Sequence, residues 1–253
     1  MGTITEKDLA RGRGTAWLAY PLAVAVLLAT QLYGVTLYAD LPETIPTHWG
    51  PSGAPDAFDA KSPGTVFGML WFGFGLTVLM AFVAAVVPAM SPARPDPSAY
   101  RQIQREGMVR GTITGLGLTS LLMALVISVL AVQGWLRPEH VGGWGVLVAV
   151  VLVVAAIVWS FRRGSRWARR YAAAAGIHPD AQEAAEEKLW LWGGILYNNP
   201  ADPQVLVPKR EGSGMGLTVN VGPPKGKWAA AVLALLVLGL PVGLAIGFAL
   251  GAA

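Results

Sequence analysis

The stretch that decides the fold is VFGMLWFGFGLTVLMAFVAAVVP, residues 66–88, in which 23 consecutive residues include no charged side chain and no histidine. Helical residues rise about 1.5 Å each, so about 20 of them cross a hydrocarbon layer of roughly 30 Å. The stretch is apolar throughout and does not alternate with polar residues, which excludes a membrane-spanning β-strand. It therefore predicts a transmembrane helix.

Four further stretches have similar lengths and equally lack charge. In chain order the five predicted spans are Ala16–Tyr38, Val66–Pro88, Thr112–Val132, Gly143–Phe161 and Trp228–Leu250. The whole chain of 253 residues is 54% hydrophobic and 13% charged, where a soluble chain carries about 25% charged residues. It contains no cysteine, so a disulfide scaffold is excluded, together with a disordered tail and an ordinary soluble enzyme. The sequence predicts an all-α membrane bundle of five helices.

The basic residues predict how the chain threads the membrane. Of the 19 lysines and arginines, 17 lie in the N-terminal arm, between the second and third spans, and between the fourth and fifth spans. Basic connections stay on the cytoplasmic side, so we expect the N-terminus inside and the C-terminus outside a plasma membrane. The predicted organisation is a cytoplasmic arm (1–15), a first membrane domain (16–88) with an external loop (39–65), the third and fourth helices (89–161), a cytoplasmic segment (162–227) and the fifth helix (228–253).

The predicted external loop is rich in proline, with prolines at positions 42, 46, 51 and 55. Proline bars a regular helix, and Pro51-Ser52-Gly53 predicts a tight turn. We therefore expect a stiff cap folded against the outer mouth of the bundle. His48 with Asp56 and Asp59 leaves three interpretations open: hydrogen bonds within the cap, recognition of an external peptide or lipid headgroup, or metal or proton-transfer chemistry. The candidate ligand-binding residues are His48, Trp49, Asp56, Asp59 and Lys61.

The same loop resembles a known family. Its pattern, L-P-x-x-I-P-x-H-W-x-x-x-G-x-x-D-x-x-x-x-K from Leu41 to Lys61, is similar to the uncharacterised domain that opens the SdpI-type bacterial immunity proteins. The similarity covers Trp17–Pro88. The resemblance implies a bacterial multi-span protein linked to immunity against a secreted toxin, whose membrane part captures a transcriptional repressor. After the second span the chain departs from those proteins, because it lacks the further domain that completes them.

The predicted cytoplasmic segment begins with a basic helix, Arg162–Ala175, ended by Gly176. Arginines beside a bilayer attract anionic headgroups. We expect this of Arg162, Arg163, Arg166, Arg169 and Arg170. A second helix begins at Asp180, whose spacing to Glu183 predicts a capping box, and ends at Gly193-Gly194. Three β-rich runs separated by turns then predict a small β-meander.

The meander resembles a second uncharacterised domain, found beside membrane spans in bacterial proteins, and this resemblance implies no activity. The matching residues are Trp190, Gly193, Tyr197, Asn199, Pro200, Asp202, Pro203, Val207, Pro208, Lys209, Arg210 and Asn220. We expect a cytoplasmic partner to contact this surface. The candidate partner-binding residues are Tyr197, Asn199, Asp202, Lys209, Arg210 and Asn220.

Glycines spaced by four predict close packing between helices. They are Gly111 and Gly115 in the third span, and Gly239, Gly243, Gly247 and Gly251 in the fifth. Two interpretations stay open: the third and fifth helices pack on each other, or the glycines form a homodimer seam. Pro241 should kink the fifth helix, and Gln31, which is costly in hydrocarbon, should face another helix.

The absence of charged residues and histidines within the spans argues against an ion-coupled transporter. We expect no catalytic residue, no metal and no cofactor. We expect a protein of sensing or immunity type, whose external loop meets an envelope ligand or toxin peptide and whose cytoplasmic segment meets a regulator. The expected partners are membrane lipids, a second copy, an external peptide or a transcriptional regulator, without direct nucleic-acid binding. Two alternatives stay open: a transporter or permease component for lipid or peptide, and a membrane enzyme that uses the external loop.

Overall fold

The computed structural model describes residues 6–50, 53–90, 97–139, 144–213, 215–239 and 242–243. Its helices, in chain order, are α1 (Glu6–Ala10), α2 (Ala19–Leu37), α3 (Pro63–Met90), α4 (Ala99–Leu136), α5 (Trp144–Ala174), α6 (Ala181–Lys188) and α7 (Pro224–Ala234). Short 3-10 helices occupy Arg13–Trp17 and Tyr38–Asp40, and a π-helical turn at Leu235–Gly239 follows α7. The strands are β1 (Thr44–Trp49), β2 (Pro55–Ala60), β3 (Trp190–Leu191), β4 (Leu196–Tyr197), β5 (Leu206–Pro208) and β6 (Leu217–Val219).

Among the residues that the structure describes, four helical segments are long and apolar enough to cross a membrane, which makes the chain a multi-pass membrane protein. They are Arg13–Asp40, Pro63–Met90, Ala99–Leu136 and Val148–Ala174, and they contain the first three predicted spans and residues 148–161 of the fourth. The fifth predicted span, Trp228–Leu250, begins within α7. Most of its second half lies outside the described residues, including Pro241, Gly247 and Gly251.

Two helices extend well beyond the spans predicted within them. α4 has 38 residues, about 57 Å at the helical rise, because the polar stretch from Tyr100 to Arg110 contains good helix formers and no proline. α5 runs from the predicted fourth span directly into the predicted basic helix and ends at Ala174. Gly176 follows with a φ of 66°, the left-handed conformation that commonly ends helices. The predicted helix end at Gly176 is confirmed.

The chain divides into two compact units. The first unit contains Met1–Leu18, Ala81–Gly117 and Ala155–Ala234, and the second contains Ala19–Met80, Leu118–Val154 and Leu235–Ala253. Each unit has its own apolar core. In the first unit these buried side chains are Leu9, Tyr100, Ile103, Ala168 and Ala172. In the second unit they are Ala23, Leu27, Ile45, Val66, Phe67, Leu70, Ala124, Ile127 and Ala131.

Aromatic rings and a small residue organise the core of the second unit. The Phe67 ring lies 5.8 Å from the Tyr38 ring and 6.0 Å from the Trp135 ring, centroid to centroid. A Cβ atom at Gly34 would lie 2.9 Å from the Phe67 ring and would also overlap Trp135. Because Gly34 has no side chain, both rings can pack against this position of α2. Gln31 lies in the same unit, and its buried Oε1 has no hydrogen-bond partner within the described part of the chain.

Glycines bring α4 and α5 into backbone contact in the first unit. A Cβ atom at Gly107 would lie 2.7 Å from the carbonyl oxygen of Gly164, and one at Gly111 would lie 3.1 Å from Cα of Phe161. At Gly115 the nearest atom would be Cβ of Ser160, at 3.6 Å. We expected the glycines of the third span, which lies in α4, to pack against the fifth span. This expectation is corrected, because Gly111 and Gly115 face α5, the helix of the fourth span.

The glycines predicted for the fifth span have no comparable contact where the structure describes them. A Cβ atom at Gly239 would meet only the Leu235 side chain of the same helical turn, and one at Gly243 would meet nothing within 4 Å. Gly247 and Gly251 lie outside the described residues. The homodimer seam stays a prediction.

The strands form three hairpins, which corrects the expectation of a single meander. The predicted meander is two hairpins, β3–β4 and β5–β6, joined by a single parallel bridge between Tyr197 and Asn220. The predicted cap contains a third hairpin, β1–β2. Prolines are tolerated there because a two-stranded sheet has only edge strands, and the β1–β2 register shifts directly after Pro46. Pro51 and Ser52 of the predicted turn lie outside the described residues.

Candidate functional site

The β1–β2 hairpin of the second unit brings His48 and Asp56 together. Nδ1 of His48 lies 2.5 Å from Oδ1 of Asp56, and the two side chains are 68% and 51% exposed. Asp59 stands apart, because its Cα pairs with Ile45 and its carboxylate accepts the Ala60 N–H at 2.8 Å. Within the described ranges no three histidine, cysteine or carboxylate side chains cluster closely enough to hold a metal ion. In the part of the hairpin that the structure describes, His48 and Asp56 thus form an exposed polar pair.

Trp49 and Lys61 anchor the hairpin instead of being displayed on it. The Trp49 indole N–H donates to the Pro138 carbonyl at 2.9 Å. Nζ of Lys61 donates to the Leu41 carbonyl at 2.8 Å and pairs with Glu43 at 3.0 Å, and its side chain is only 12% exposed. The expectation that Lys61 binds a ligand is corrected, because its ammonium group is used to hold the base of the hairpin.

A second polar cluster, in the first unit, surrounds a cavity of about 330 Å³ that we call the Arg210 cavity. Three parts of the chain contribute to it: the polar start of α4, the acidic helix α6, and the two short hairpins with the loops beside them. The lining residues include Tyr100, Arg101, Gln104, Glu183, Glu186, Glu187, Trp190, Tyr197, Asp202, Lys209 and Arg210. The capping box predicted for α6 is present, since Asp180 and Glu183 exchange hydrogen bonds, and it fixes the start of this helix.

Ion pairs neutralise the acidic side of the Arg210 cavity. Arg101 lies 3.3 Å from Glu183 and 2.9 Å from Glu186, which ties α4 to α6. The Tyr100 hydroxyl donates to Glu187. Charge-assisted bonds of this kind are stronger than neutral ones, so the three glutamates are committed to the protein itself.

The donor side of the Arg210 cavity is not satisfied. Gln104 is only 6% exposed and its Nε2 has no partner among the described residues, nor has the buried indole Nε1 of Trp190. Oε1 of Gln104 receives a long bond of 3.4 Å from Arg210, and burial lowers the pKa of the Arg210 guanidinium. Buried donors without acceptors are rare and costly. Both donors are covered by protein, so an acceptor in the cavity would reach them only after a local rearrangement.

The structure separates the six candidate partner-binding residues into two groups. Tyr197, Asp202, Lys209 and Arg210 line the Arg210 cavity. Asn220 is completely buried, and its side chain makes five hydrogen bonds with backbone groups between residues 199 and 222. The expectation that Asn220 contacts a partner is corrected, because no atom of its amide remains available. Asn199 supports the same loop by accepting the Ala201 N–H at 3.1 Å.

Tyr100, Gln104 and Trp190 are site residues that the sequence interpretation missed. Gln104 and Arg210 are separated by 106 positions, so spacing along the chain carries no sign of their contact. One local pattern could have drawn attention to Tyr100 and Gln104: both belong to a run of polar side chains that directly precedes the apolar span of α4.

The five arginines of α5 do not form one surface. Arg162 and Arg169 line a cavity of about 670 Å³ together with Trp190 and Trp192. Arg163 and Arg170 line a different cavity, of about 590 Å³, with Trp167 and Tyr171. Arg166 contributes to both. The division follows from helical geometry, because residues seven apart return to nearly the same face.

Comparison with known proteins identifies one domain. Residues 25–73 match a domain of unknown function, DUF1648. The match begins within α2, continues through the β1–β2 hairpin into the first turns of α3, and includes all five candidate ligand-binding residues. No curated protein and no solved structure matches the chain. The chain is a multi-pass membrane protein that carries an uncharacterised domain in its N-terminal part.

Proposed function

We propose that the chain is a non-enzymatic sensing protein of a bacterial plasma membrane, in which the Arg210 cavity binds a segment of a protein regulator. The observation that carries the proposal is the pair of buried, unpartnered donors on Gln104 and Trp190 beside Arg210. Carbonyl and carboxylate oxygens of a peptide segment would contact Arg210 in the cavity, and a local rearrangement would expose the covered donors of Gln104 and Trp190 to the same segment. Three of the four glutamates that line the cavity have partners within the protein, which leaves the guanidinium of Arg210 as the group to which an acceptor can bind.

The proposal assigns the first unit to the cytoplasm and the β1–β2 hairpin to the exterior. Support comes from the concentration of 17 of 19 basic residues in the arm, the connection 89–111 and the segment 162–227. The exposed His48–Asp56 pair would then meet an envelope ligand or a toxin peptide. The resemblance to SdpI-type proteins makes immunity the expected setting. A catalytic role for His48 is not favoured, since a strongly exposed pair has no enclosed site in which to exclude water.

The first test compares two substitutions of basic residues in the source cell. Arg210→Gln should abolish the transcriptional response that the wild type gives to antimicrobial peptides and envelope stress, as deletion does, with a loss of at least about tenfold. Removing one charged partner of a buried contact typically costs roughly 1.5–3 kcal/mol. Lys188→Gln, on the exposed surface of α6 and outside the cavity, is the matched control and should respond normally.

Trp190→Phe keeps the test informative if Arg210→Gln lowers the abundance of the protein. This variant removes the indole N–H, which has no partner in the free protein, together with one of the two indole rings, but it keeps an aromatic ring against Tyr197. We therefore expect roughly 1–3 kcal/mol of destabilisation from the lost packing, and a loss of response larger than the loss of abundance. A deletion strain with unchanged transcription under every stress would contradict the sensing function. An Arg210→Gln or Trp190→Phe strain with normal abundance and a full response would contradict the role of the cavity.

A further inference from the structure

A cavity of about 670 Å³ lies between α5 and the turn that joins β3 to β4, and we call it the α5–turn cavity. It shares Glu187, Trp190 and Arg210 with the Arg210 cavity and differs from it in having a wall formed by the apolar part of α5. That wall consists of Ala155, Val158 and Trp159, which belong to a helix long and apolar enough to cross a membrane. The cavity therefore extends from apolar helix surface to a charged rim.

Positive charge on the rim is left largely uncompensated. Arg162, Arg166, Arg169 and Arg210 line the cavity, whereas the only carboxylate among its lining residues is Glu187. Glu187 accepts the Tyr100 hydroxyl and lies 3.8 Å from Arg169. In the part of the chain that the structure describes, Arg162 and Arg166 pair with no carboxylate. A ligand with a negative headgroup would supply the missing charge.

A side-chain hydrogen bond from α5 and a closely packed glycine hold the β3–β4 turn against α5. The Ser165 hydroxyl donates to the Gly193 carbonyl at 2.7 Å. Gly193 has a φ of 82°, and a Cβ atom there would lie 2.6 Å from the backbone nitrogen of Arg162. Trp192 adopts a φ of 53°, which is uncommon for a bulky residue, and remains 48% exposed. Backbone strain that displays a large aromatic ring is typical of a functional position.

We infer that the α5–turn cavity is a discrete binding site for one anionic phospholipid. The phosphate of the headgroup would contact Arg162, Arg166 and Arg169, while an acyl chain would follow Ala155 and Val158. Trp159 and Trp192 would lie at the boundary between headgroup and acyl chain, where indole rings are enriched. The apolar wall is the reason for assigning a lipid instead of a free phosphate. This site goes beyond the diffuse basic surface that the sequence predicts.

The test uses two double substitutions with the same spacing and the same loss of charge. Arg162→Gln/Arg169→Gln removes two arginines of the α5–turn cavity, and Arg163→Gln/Arg170→Gln removes two of the other cavity. Full-length protein is purified in detergent, and native mass spectrometry measures retained phosphatidylglycerol. The first pair should reduce retention by at least about tenfold, because it removes two contacts to the headgroup worth roughly fivefold each. The control pair lines the other cavity, so it should reduce retention of this lipid less than about twofold.

Two further variants and two controls with other ligands complete the test. Arg162→Lys/Arg169→Lys keeps both charges and should retain lipid within about threefold of the wild type, which separates loss of binding from loss of fold. Trp192→Ala should weaken retention without changing the helix content. Equal losses in the two glutamine pairs would indicate a diffuse basic surface and overturn the site. Displacement of the lipid by millimolar inorganic phosphate, or equal retention of phosphatidylcholine, would also overturn the assignment.

Discussion

At the scale of single residues, we distinguish structural anchors from proposed binding groups by whether every buried polar atom has a hydrogen-bond partner. Asn220 and Lys61 are both well buried, and each uses its polar atoms on backbone groups of its own loop or hairpin. Gln104 and Trp190 are also buried at their polar atoms but keep donors without acceptors. Protein interiors rarely tolerate such donors. Burial alone therefore does not separate an anchor from a group with unused hydrogen-bonding capacity, whereas the hydrogen-bond partners do.

Asn220→Ala should destabilise the first unit by roughly 2–5 kcal/mol. The substitution leaves three backbone carbonyls and two backbone N–H groups without the amide that they share, and each stranded buried group costs about 1–3 kcal/mol before local rearrangement. Thermal unfolding of the purified protein measures the effect. Asn198→Ala, whose side chain has no recorded bond among the described residues, is the control and should change stability by less than about 1 kcal/mol. Similar unfolding of both variants would argue against the anchoring role.

At the scale of elements, close backbone contact determines which helices meet. The apolar patterns of α3, α4 and α5 are alike, so lipid does not distinguish between their faces. Gly107 and Gly164 remove the side chains that would hold α4 and α5 apart. This contact lies in the first unit and holds the polar start of α4 in register with α5.

Gly107→Ala should destabilise the protein by roughly 1–3 kcal/mol, although alanine is the better helix former. The added methyl group would stand 2.7 Å from a backbone oxygen of Gly164 that has no rotamer with which to move away. Gly75→Ala in α3 is the matched control, because nothing lies within 4 Å of the added Cβ atom. Its stability should stay the same or rise slightly. Equal behaviour of the two variants in thermal unfolding would show that the α4–α5 contact is looser than described.

At the scale of the whole molecule, one continuous helix contributes to both units. Residues 99–117 of α4 belong to the first unit and residues 118–136 to the second. The first unit carries the Arg210 cavity and the second carries the β1–β2 hairpin. Under the proposed threading, the hairpin lies on the outer side of the membrane and the cavity lies on the cytoplasmic side. The proposed sensing function depends on this placement.

Cysteine labelling measures this sidedness directly, because the chain contains no native cysteine. Asp59→Cys on the hairpin and Lys225→Cys at the start of α7 are both exposed positions. In intact cells a membrane-impermeant maleimide should label Asp59→Cys at least about tenfold more than Lys225→Cys. Permeabilised cells are the control and should label both. Labelling of Lys225→Cys in intact cells would reverse the proposed orientation.

Local patterns in the sequence determined the parts of this protein that depend on neighbouring residues alone. Four membrane-spanning helices follow from uninterrupted apolar stretches, because hydrocarbon thickness sets one length for all of them. The α6 capping box and the end of α5 at Gly176 follow from residues within one helical turn. The prolines of residues 39–65 correctly excluded a regular helix there, but they did not predict the β1–β2 pairing, which depends on contacts across the loop.

Only the tertiary structure decided which residues form sites. Arg210 meets Gln104 across 106 positions, and the arginines of α5 divide between two cavities according to what packs beside each face. Asn220 shares its motif with Arg210, yet one residue is a buried anchor and the other lines a cavity. The physical reason is that burial, hydrogen-bond satisfaction and charge neutralisation are properties of surroundings assembled from distant segments, and no local pattern specifies those surroundings.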